Sequence, residues 1–337
     1  MSDITLIAPN INIKMKAAYY TQYGSPDNFS IKEVDTPFPG ENDLLVEVHA
    51  TTVNRTDCAI LKGSLLMRLF TGLFKPKKSI PGTDFAGKVI STGKNVTQFK
   101  KGDRVFGFDD MGLLSHAQFM AVNSNKAISH IPEGLSYEEA VASLETVHYA
   151  VNFINKIKTH PGQKVLINGA TGGIGSVLVQ LSKFYELNVT ATCQTQHIDL
   201  VKSLGASKVI VYTKEDFLNT EEKFDFVFDA VGKSTFGKCK SILKDGGIYI
   251  SSELGPNAEN PFLALITKFT GSKKVIFPIP FDPKSSIKFI LDLIAIGKFK
   301  PVIDQSYTHD EIQEAFRYVA SGQKVGNVIL SIYESTN

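Results

Sequence analysis

"KVLINGATGGIGSVLVQ", Lys164 to Gln180, sets a buried strand, a run of small residues and a helix in immediate succession. Its first part is continuously apolar, the pattern of a strand covered on both faces. Its last part opens a helix with Val177, Leu178, Leu181 and Phe184 on one face. Between them Ala170, Thr171, Gly172, Gly173, Ile174 and Gly175 spell A-x-G-x-x-G, a variant of the dinucleotide fingerprint, and Gly169 adds a further small residue at the turn. Without Cβ atoms the glycines permit the tight turn, let the backbone approach a pyrophosphate and let the helix lie close to the strand. The helix N-terminus then offers N–H groups and the positive end of its dipole to phosphate. Strand, motif and helix stand in the required order, so these residues are expected to bind a dinucleotide.

Downstream, "NVTATC", "IDLVKSLGA", "KVIVY", "FDFVFDAVG", "TFGKCKSIL", "GGIYISS" and "KVIFPIPF" alternate strands with helices. Strands separated by crossover helices imply a parallel, doubly wound sheet covered on both faces. Upstream, from Lys16 to about Ser136, the signals are short strands and turns. In "LLVEVHA" the residues Leu44, Val46, Val48 and Ala50 alternate with Leu45, Glu47 and His49. After Pro283 a long helix pattern, "SSIKFILDLIAIGKF", leads to a strand, a helix and a last strand, "VGNVILSIY". That last strand is expected to return to the first domain. The expected organisation is a discontinuous β-rich domain of residues 15–136 and 285–337, a doubly wound domain of residues 137–284, and an extension, residues 1–14, ahead of Met15.

The chain's 337 residues suit two domains, and a formal charge of +2 gives no field that would steer it to nucleic acid. "KPKK", Lys75 to Lys78, reads as a solvated loop. Cys58, Cys193 and Cys239 lie far apart, which suits a reducing compartment. No apolar run approaches the roughly 18 residues of a membrane span. The first residues resemble neither a signal nor a transit peptide, so a cytoplasmic home is expected.

An NAD site places an Asp or Glu about 20 residues past the glycines for the ribose 2′-OH. Here "VTATCQTQHID" has no acid before Asp199, inside the following helix. Thr192, Thr195, Gln196 and His197 meet a 2′-phosphate without repulsion, and Tyr212 adds a hydroxyl. NADPH is therefore expected over NADH, with His197 or Lys202 as the local cation.

"PGTDFAG", "GDRVFGF", "NGATGGIG", "LVKSLGA" and "FDFVFDAVG" follow the order of the medium-chain dehydrogenase/reductase superfamily. From about Met15 onward the chain resembles its zinc-free quinone oxidoreductase branch, the zeta-crystallin-like and chloroplast-envelope-type enzymes. The resemblance implies an α/β fold with a GroES-like catalytic domain and a Rossmann domain, an active site in the cleft between them, and a homodimer paired through "KVIFPIPF". Pro278 and Pro280 limit the ladder bonds of that edge. Ala230, Val231 and Gly232, with Ser251 and Ser252, resemble the family's contacts to nicotinamide and ribose.

Zinc enzymes of the superfamily use a Cys after the apolar strand and a His-Glu pair in a "PGHE" segment. Asn54 in "TTVNRTDC" matches the first position, and Thr83 and Asp84 replace the pair. An amide and a hydroxyl are poor zinc ligands. Glu145 and His148, near a third position, could bind metal only with co-ligands that the other positions do not supply, and the four-cysteine lobe is missing. No zinc is expected; His49 and Cys58 are read as a strand histidine and a small buried residue.

Without a Lewis acid a simple ketone is hard to reduce. A quinone or α,β-unsaturated carbonyl delocalises the incoming charge, and modest hydrogen-bond donors suffice. Asn54 and Tyr149 are the candidate catalytic donors, Tyr149 standing where the family has a threonine. The expectation is zinc-independent, NADPH-dependent hydride transfer to a small-molecule quinone, enone or enal. The rivals are an enoyl-thioester reductase, with "NPFLALITKF" lining a longer pocket, and an NADPH-binding structural or regulatory protein. RNA binding, known in some zeta-crystallin-like proteins, is disfavoured by the near-neutral charge.

Overall fold

The alternation in Leu44–Ala50 belongs to a strand with one buried face: Leu44, Val46, Val48 and Ala50 have no exposed surface, while Leu45, Glu47 and His49 are half-buried. The computed structural model describes residues 13–333. The chain divides into two units. The first comprises residues through Ala142, Gln305–Gln323 and the chain from Val328 onward. Its elements are β1 (Lys14–Tyr19), β2 (Ser30–Asp35), β3 (Asp43–Thr52), α1 (Arg55–Lys62), α2 (Leu65–Thr71), β4 (Asp84–Thr92), β5 (Arg104–Phe108), β6 (Phe119–Asn123), β7 (Ala127–His130) and α3 (Tyr137–Val141). β3 pairs antiparallel with β4 and β6, β4 with β5, and β5 with β7.

The second unit, Ser143–Asp304 with Lys324–Asn327, carries α4 (Glu145–Ile154), β8 (Lys164–Asn168), α5 (Gly173–Phe184), β9 (Asn188–Cys193), α6 (Ile198–Leu204), β10 (Lys208–Val211), β11 (Phe224–Asp229), α7 (Phe236–Cys239), β12 (Leu243–Ser251), α8 (Glu259–Thr267), β13 (Lys274–Ile276) and α9 (Pro283–Ala295). Six parallel strands run in the order β10-β9-β8-β11-β12-β13. The winding reverses between β8 and β11, and such a switch point opens a crevice at the strand carboxyl ends. The strands read as unbroken apolar runs because both faces are covered. Val165, Ile167, Phe226 and Phe228 join one core with α5, while Leu166, Val227 and Tyr249 join the other with α7.

The chain closes with β14 (Ile303–Thr308), α10 (Ile312–Ser321) and β15 (Asn327–Ser331). β15 pairs antiparallel with β3, Ile329 opposite Thr52, and lies between β14 and β3 in the sheet. α10 buries Ile312, Ala315, Phe316 and Val319 in the core of the first unit.

The division between units differs from the expected 136/137 and 284/285. α3 stays with the first unit: the Tyr137 ring stacks on His49 at 4.3 Å, and the Arg104 guanidinium lies 4.6 Å from its centroid. α9 lies in the second, with Ile290 and Leu293 in the core that contains Val177, Leu178 and Phe228. The expected strand "KVIFPIPF" is a strand only over Lys274–Ile276, before Pro278. Among the described residues no helix is long and apolar enough to cross a membrane.

Ile290→Ala is expected to cost about 2–5 kcal/mol of stability. By amide exchange, protection should fall in β8 to β12 and hold in β3 to β5. Loss confined to β3–β5 would place α9 with the first unit.

Candidate functional site

β8 ends on a polar residue, Asn168, and the next two strand ends meet it. Asn168 Oδ1 accepts from the Thr192 hydroxyl at the end of β9 (2.9 Å), and its Nδ2 donates to Asp229 Oδ1 at the end of β11 (3.1 Å). The Thr192 hydroxyl in turn accepts from the Gly169 N–H (3.0 Å), which fixes the first residue of the phosphate loop. Gly169 sits at φ +85°, and a Cβ there would fall 2.3 Å from Val231 Cγ1. A Cβ on Gly175 would fall 2.0 Å from the Gly169 carbonyl oxygen, so the helix approaches the loop as closely as backbone allows. Gly172 is the N-cap of α5, and no side chain caps it. The cradle therefore has the form of an anion site, and the residues present fit a dinucleotide pyrophosphate.

Ala170 and Gly173 are buried, Thr171 and Ile174 half-buried. The Thr171 carbonyl accepts from the Gly326 N–H (2.7 Å), which ties the loop to the chain just before β15. Ala230, Val231, Gly232, Ser251 and Ser252 follow or end the neighbouring strands β11 and β12 at the same edge as the loop. Asp229 organises this turn: fully buried, it accepts from the backbone N–H groups of Val231, Lys233 and Ser234 and from the Tyr249 hydroxyl. Gly232, at φ +63°, lies under Glu253, whose Cγ would be 2.6 Å from an added Cβ. Asn168, Asp229 and Glu253 were not singled out from the sequence. The signal available was a polar residue closing an apolar run, as in "VLIN" and "FVFD".

Thr192 is corrected. Its side chain is wholly buried and spent on Asn168 and Gly169, so it braces the loop and does not face a 2′-phosphate. Thr195 is exposed and His197 half-buried in the turn after β9. Beside them Val211 pairs with Cys193, and the Tyr212 N–H donates to the Cys193 carbonyl (3.2 Å). This register brings Tyr212 to the end of β9, two residues before the Thr195–His197 turn, and Lys214, a cation that sequence reading missed, is exposed in the turn after β10.

In the first unit Asn54 lies in a buried polar network. Its Nδ2 donates to Thr52 Oγ1 (2.5 Å) and to Asp84 Oδ2 (3.3 Å). Asp84 also accepts from Thr51, from the Thr52 hydroxyl and from the Thr52 N–H. With both amide hydrogens engaged, Asn54 is a tie between strand end and carboxylate rather than the expected donor to substrate. Burial pushes Asp84 up to about 6, against the hydrogen bonds it accepts. Burial pushes Asp57, which accepts from the Asn54 N–H (2.9 Å), up to about 8, with the Asp84 charge adding to the rise. At neutral pH Asp84 is thus the ionised member and Asp57 the protonated one. His116, bonded through Nε2 to the Thr52 carbonyl, is held down to about 3 by burial.

Tyr149 is half-buried on α4 in the second unit, its ring 6.0 Å edge-on from that of His148. His148 bonds through Nδ1 to Ser286 Oγ (2.9 Å), and burial holds it down to about 4. Among the described residues no group of three or more His, Cys, Asp or Glu is placed to hold a metal ion.

Residues 40–148 match the alcohol dehydrogenase GroES-like domain family, and residues 204–330 match the zinc-binding dehydrogenase family. The chain is 32% identical over 336 residues to the chloroplastic quinone-oxidoreductase homolog of Spinacia oleracea, covering 94% of this chain and 98% of the relative. It is 31% identical to 2-methylene-furan-3-one reductase of Solanum lycopersicum, covering 95% and 80% respectively. The structure of the quinone oxidoreductase from Coxiella burnetii superposes with a TM-score of 0.81 at 25% identity, over 95% of this chain and 100% of that one. The Escherichia coli quinone oxidoreductase complexed with NADPH shares the fold, with a TM-score of 0.78 at 24% identity over 95% and 99%. The chain belongs to the medium-chain dehydrogenase/reductase superfamily, in its quinone oxidoreductase branch.

Asp57 and Asp84 both hold their protons more tightly folded than unfolded. Neither costs stability below about pH 4. Stability then falls as the pH rises, up to about 6 for Asp84 and about 8 for Asp57. Asp57→Asn should therefore gain on the native chain between pH 6 and 8, read as denaturation midpoints across that range. Parallel curves would show that Asp57 does not titrate there.

Proposed function

We propose that this chain catalyses NADPH-dependent, zinc-independent reduction of quinones or α,β-unsaturated carbonyls. The observation that carries the reading is the phosphate cradle, with Gly175 against the Gly169 carbonyl and an N-terminus of α5 that no side chain caps. The donor set around Asn54 supports the metal-free part: amide, hydroxyls and one ionised carboxylate stand in place of thiolate and imidazole. Bound NADPH supplies the hydride.

The loop from Gly169 to Gly175 holds the pyrophosphate, and Asp229 fixes the backbone of Val231 to Ser234 beside it. Tyr149 gives a hydrogen bond or proton to the substrate oxygen, where the charge is already delocalised. Lys214, with Tyr212 and His197, takes the 2′-phosphate. The names of relatives support the substrate class: 2-methylene-furan-3-one reductase, and an NADPH-dependent alkenal/one oxidoreductase of Arabidopsis thaliana at 28% identity. The cysteines, none in a disulfide, suit a reducing compartment, cytosol or chloroplast, the latter in keeping with the name of the spinach relative. Pairing of two copies along β13, the last strand of its sheet, completes the proposal.

NADPH oxidation assayed on quinone and enone panels should proceed equally with and without chelator. Chelator-sensitive alcohol oxidation would overturn the reading. Tyr149→Phe should slow enone reduction about 100-fold; an unchanged rate removes Tyr149 from the mechanism. Lys214→Glu should raise the KM for NADPH roughly tenfold and leave that for NADH unchanged, since only the former carries the extra phosphate.

A further inference from the structure

Between Asp57 and Asp84 the chain has no acidic residue and five cations, Lys62, Arg68, Lys75, Lys77 and Lys78. The same stretch displays apolar side chains. α2 exposes Leu65, Leu69 and Phe70 at 75%, 63% and 63%, and the turn after it exposes Leu73 at 49% and Phe74 at 90%.

This segment is built rather than loose. Ser64 caps α2 by accepting from the Met67 N–H (3.4 Å), and Arg68 Nε donates to the Gly63 carbonyl (2.7 Å) while its guanidinium lies over the Tyr23 ring. The Tyr23 hydroxyl bonds Thr71 Oγ1 and the Gly72 carbonyl, each at 2.8 Å. The turn closes with the Lys77 N–H on the Thr71 carbonyl (2.8 Å), so tightly that a Cβ on Gly72 would fall 2.1 Å from the Lys75 carbonyl oxygen. Lys78 Nζ anchors the far side on the carbonyls of Met111 and Gly112, and Met111 is itself 66% exposed. The fold thus spends hydrogen bonds to hold Phe70, Leu73 and Phe74 outward. Lys75 and Lys77 are exposed beside them, and neither is in an ion pair among the described residues.

We infer that this face is a docking surface for an anionic lipid bilayer, with Leu69, Phe70, Leu73 and Phe74 entering the headgroup region and Lys75 and Lys77 at the phosphates. Apolar tips beside exposed cations are what an interfacial segment needs. A protein partner fits less well, since protein interfaces are depleted in lysine at their centres. The inference does not depend on the hydride chemistry proposed above.

Co-sedimentation of the full chain with phosphatidylcholine vesicles, with and without phosphatidylglycerol, tests it. Binding should need phosphatidylglycerol and weaken with salt. Lys75→Gln with Lys77→Gln should lower partitioning about 25-fold, roughly fivefold for each cation. Phe70→Ser with Phe74→Ser should lower it at least about tenfold. Phe269→Ser, in the exposed apolar stripe that continues from α8, should leave it unchanged. A cooperative thermal transition and NADPH fluorescence check folding; should the phenylalanine pair not fold, Phe74→Ser alone serves, its ring being almost wholly in solvent. Equal binding by the lysine variant, or no preference for phosphatidylglycerol, overturns the inference. So does RNA binding or self-association that the same substitutions abolish while vesicles are ignored.

Discussion

One amide joins three strand ends. Asn168 takes the Thr192 hydroxyl on one side and reaches Asp229 on the other, and through Thr192 it sets the Gly169 N–H. All three side chains are buried, so each bond is worth little net, about 1 kcal/mol, whereas each broken one strands a polar group at about 1–3 kcal/mol. The asymmetry favours a single arrangement over merely a stable one. The glycine loop, the turn at Val231 to Ser234 and the register of β9, β8 and β11 all inherit their positions from it. Glycines alone would give a loop able to take many shapes; the bracket below selects one.

The first unit solves a different problem with similar means. Where relatives of the zinc type need thiolate and imidazole, this chain buries two carboxyls, Asp57 and Asp84, and satisfies the ionised one with four hydroxyl and amide groups. The cost of that burial is carried by the raised proton affinity of both acids. Asn54 is spent on this arrangement. Its amide is oriented by a charge, since turning its oxygen toward an ionised Asp84 would set two acceptors together.

Much of this was legible in the residues. Strand, glycines and helix in fixed order gave the doubly wound unit, and the alternation from Leu44 to Ala50 gave the β-rich one. What remained hidden depends on direction. A threonine ending a strand faces inward or outward according to neighbours from other strands, so Thr192 was read toward the phosphate when it faces Asn168. The apolar stripe of α9 says that one face is buried but not against which core. Tyr212 lies on a different strand connection from the Thr195–His197 turn and is brought to the end of β9 only by the pairing of β10 with β9. "KPKK" reads as an ordinary solvated loop until the exposed rings before it are seen.

The place of β15 carries a last consequence, for the order in which the chain matures. It is an interior strand, between β14 and β3, and its Val328 carbonyl accepts the N–H of Val53, some 275 residues earlier. The sheet of the first unit therefore stays open on the ribosome until residue 331 has emerged, Ala50 to Thr52 of β3 lacking their partner meanwhile. The strands of the doubly wound sheet, all between Lys164 and Ile276, are available to pair long before. The nascent chain thus passes through a stage in which the cofactor-binding half has its sheet and the other half still has an unpaired edge. That stage is where chaperone capture, misassembly and proteolysis would act.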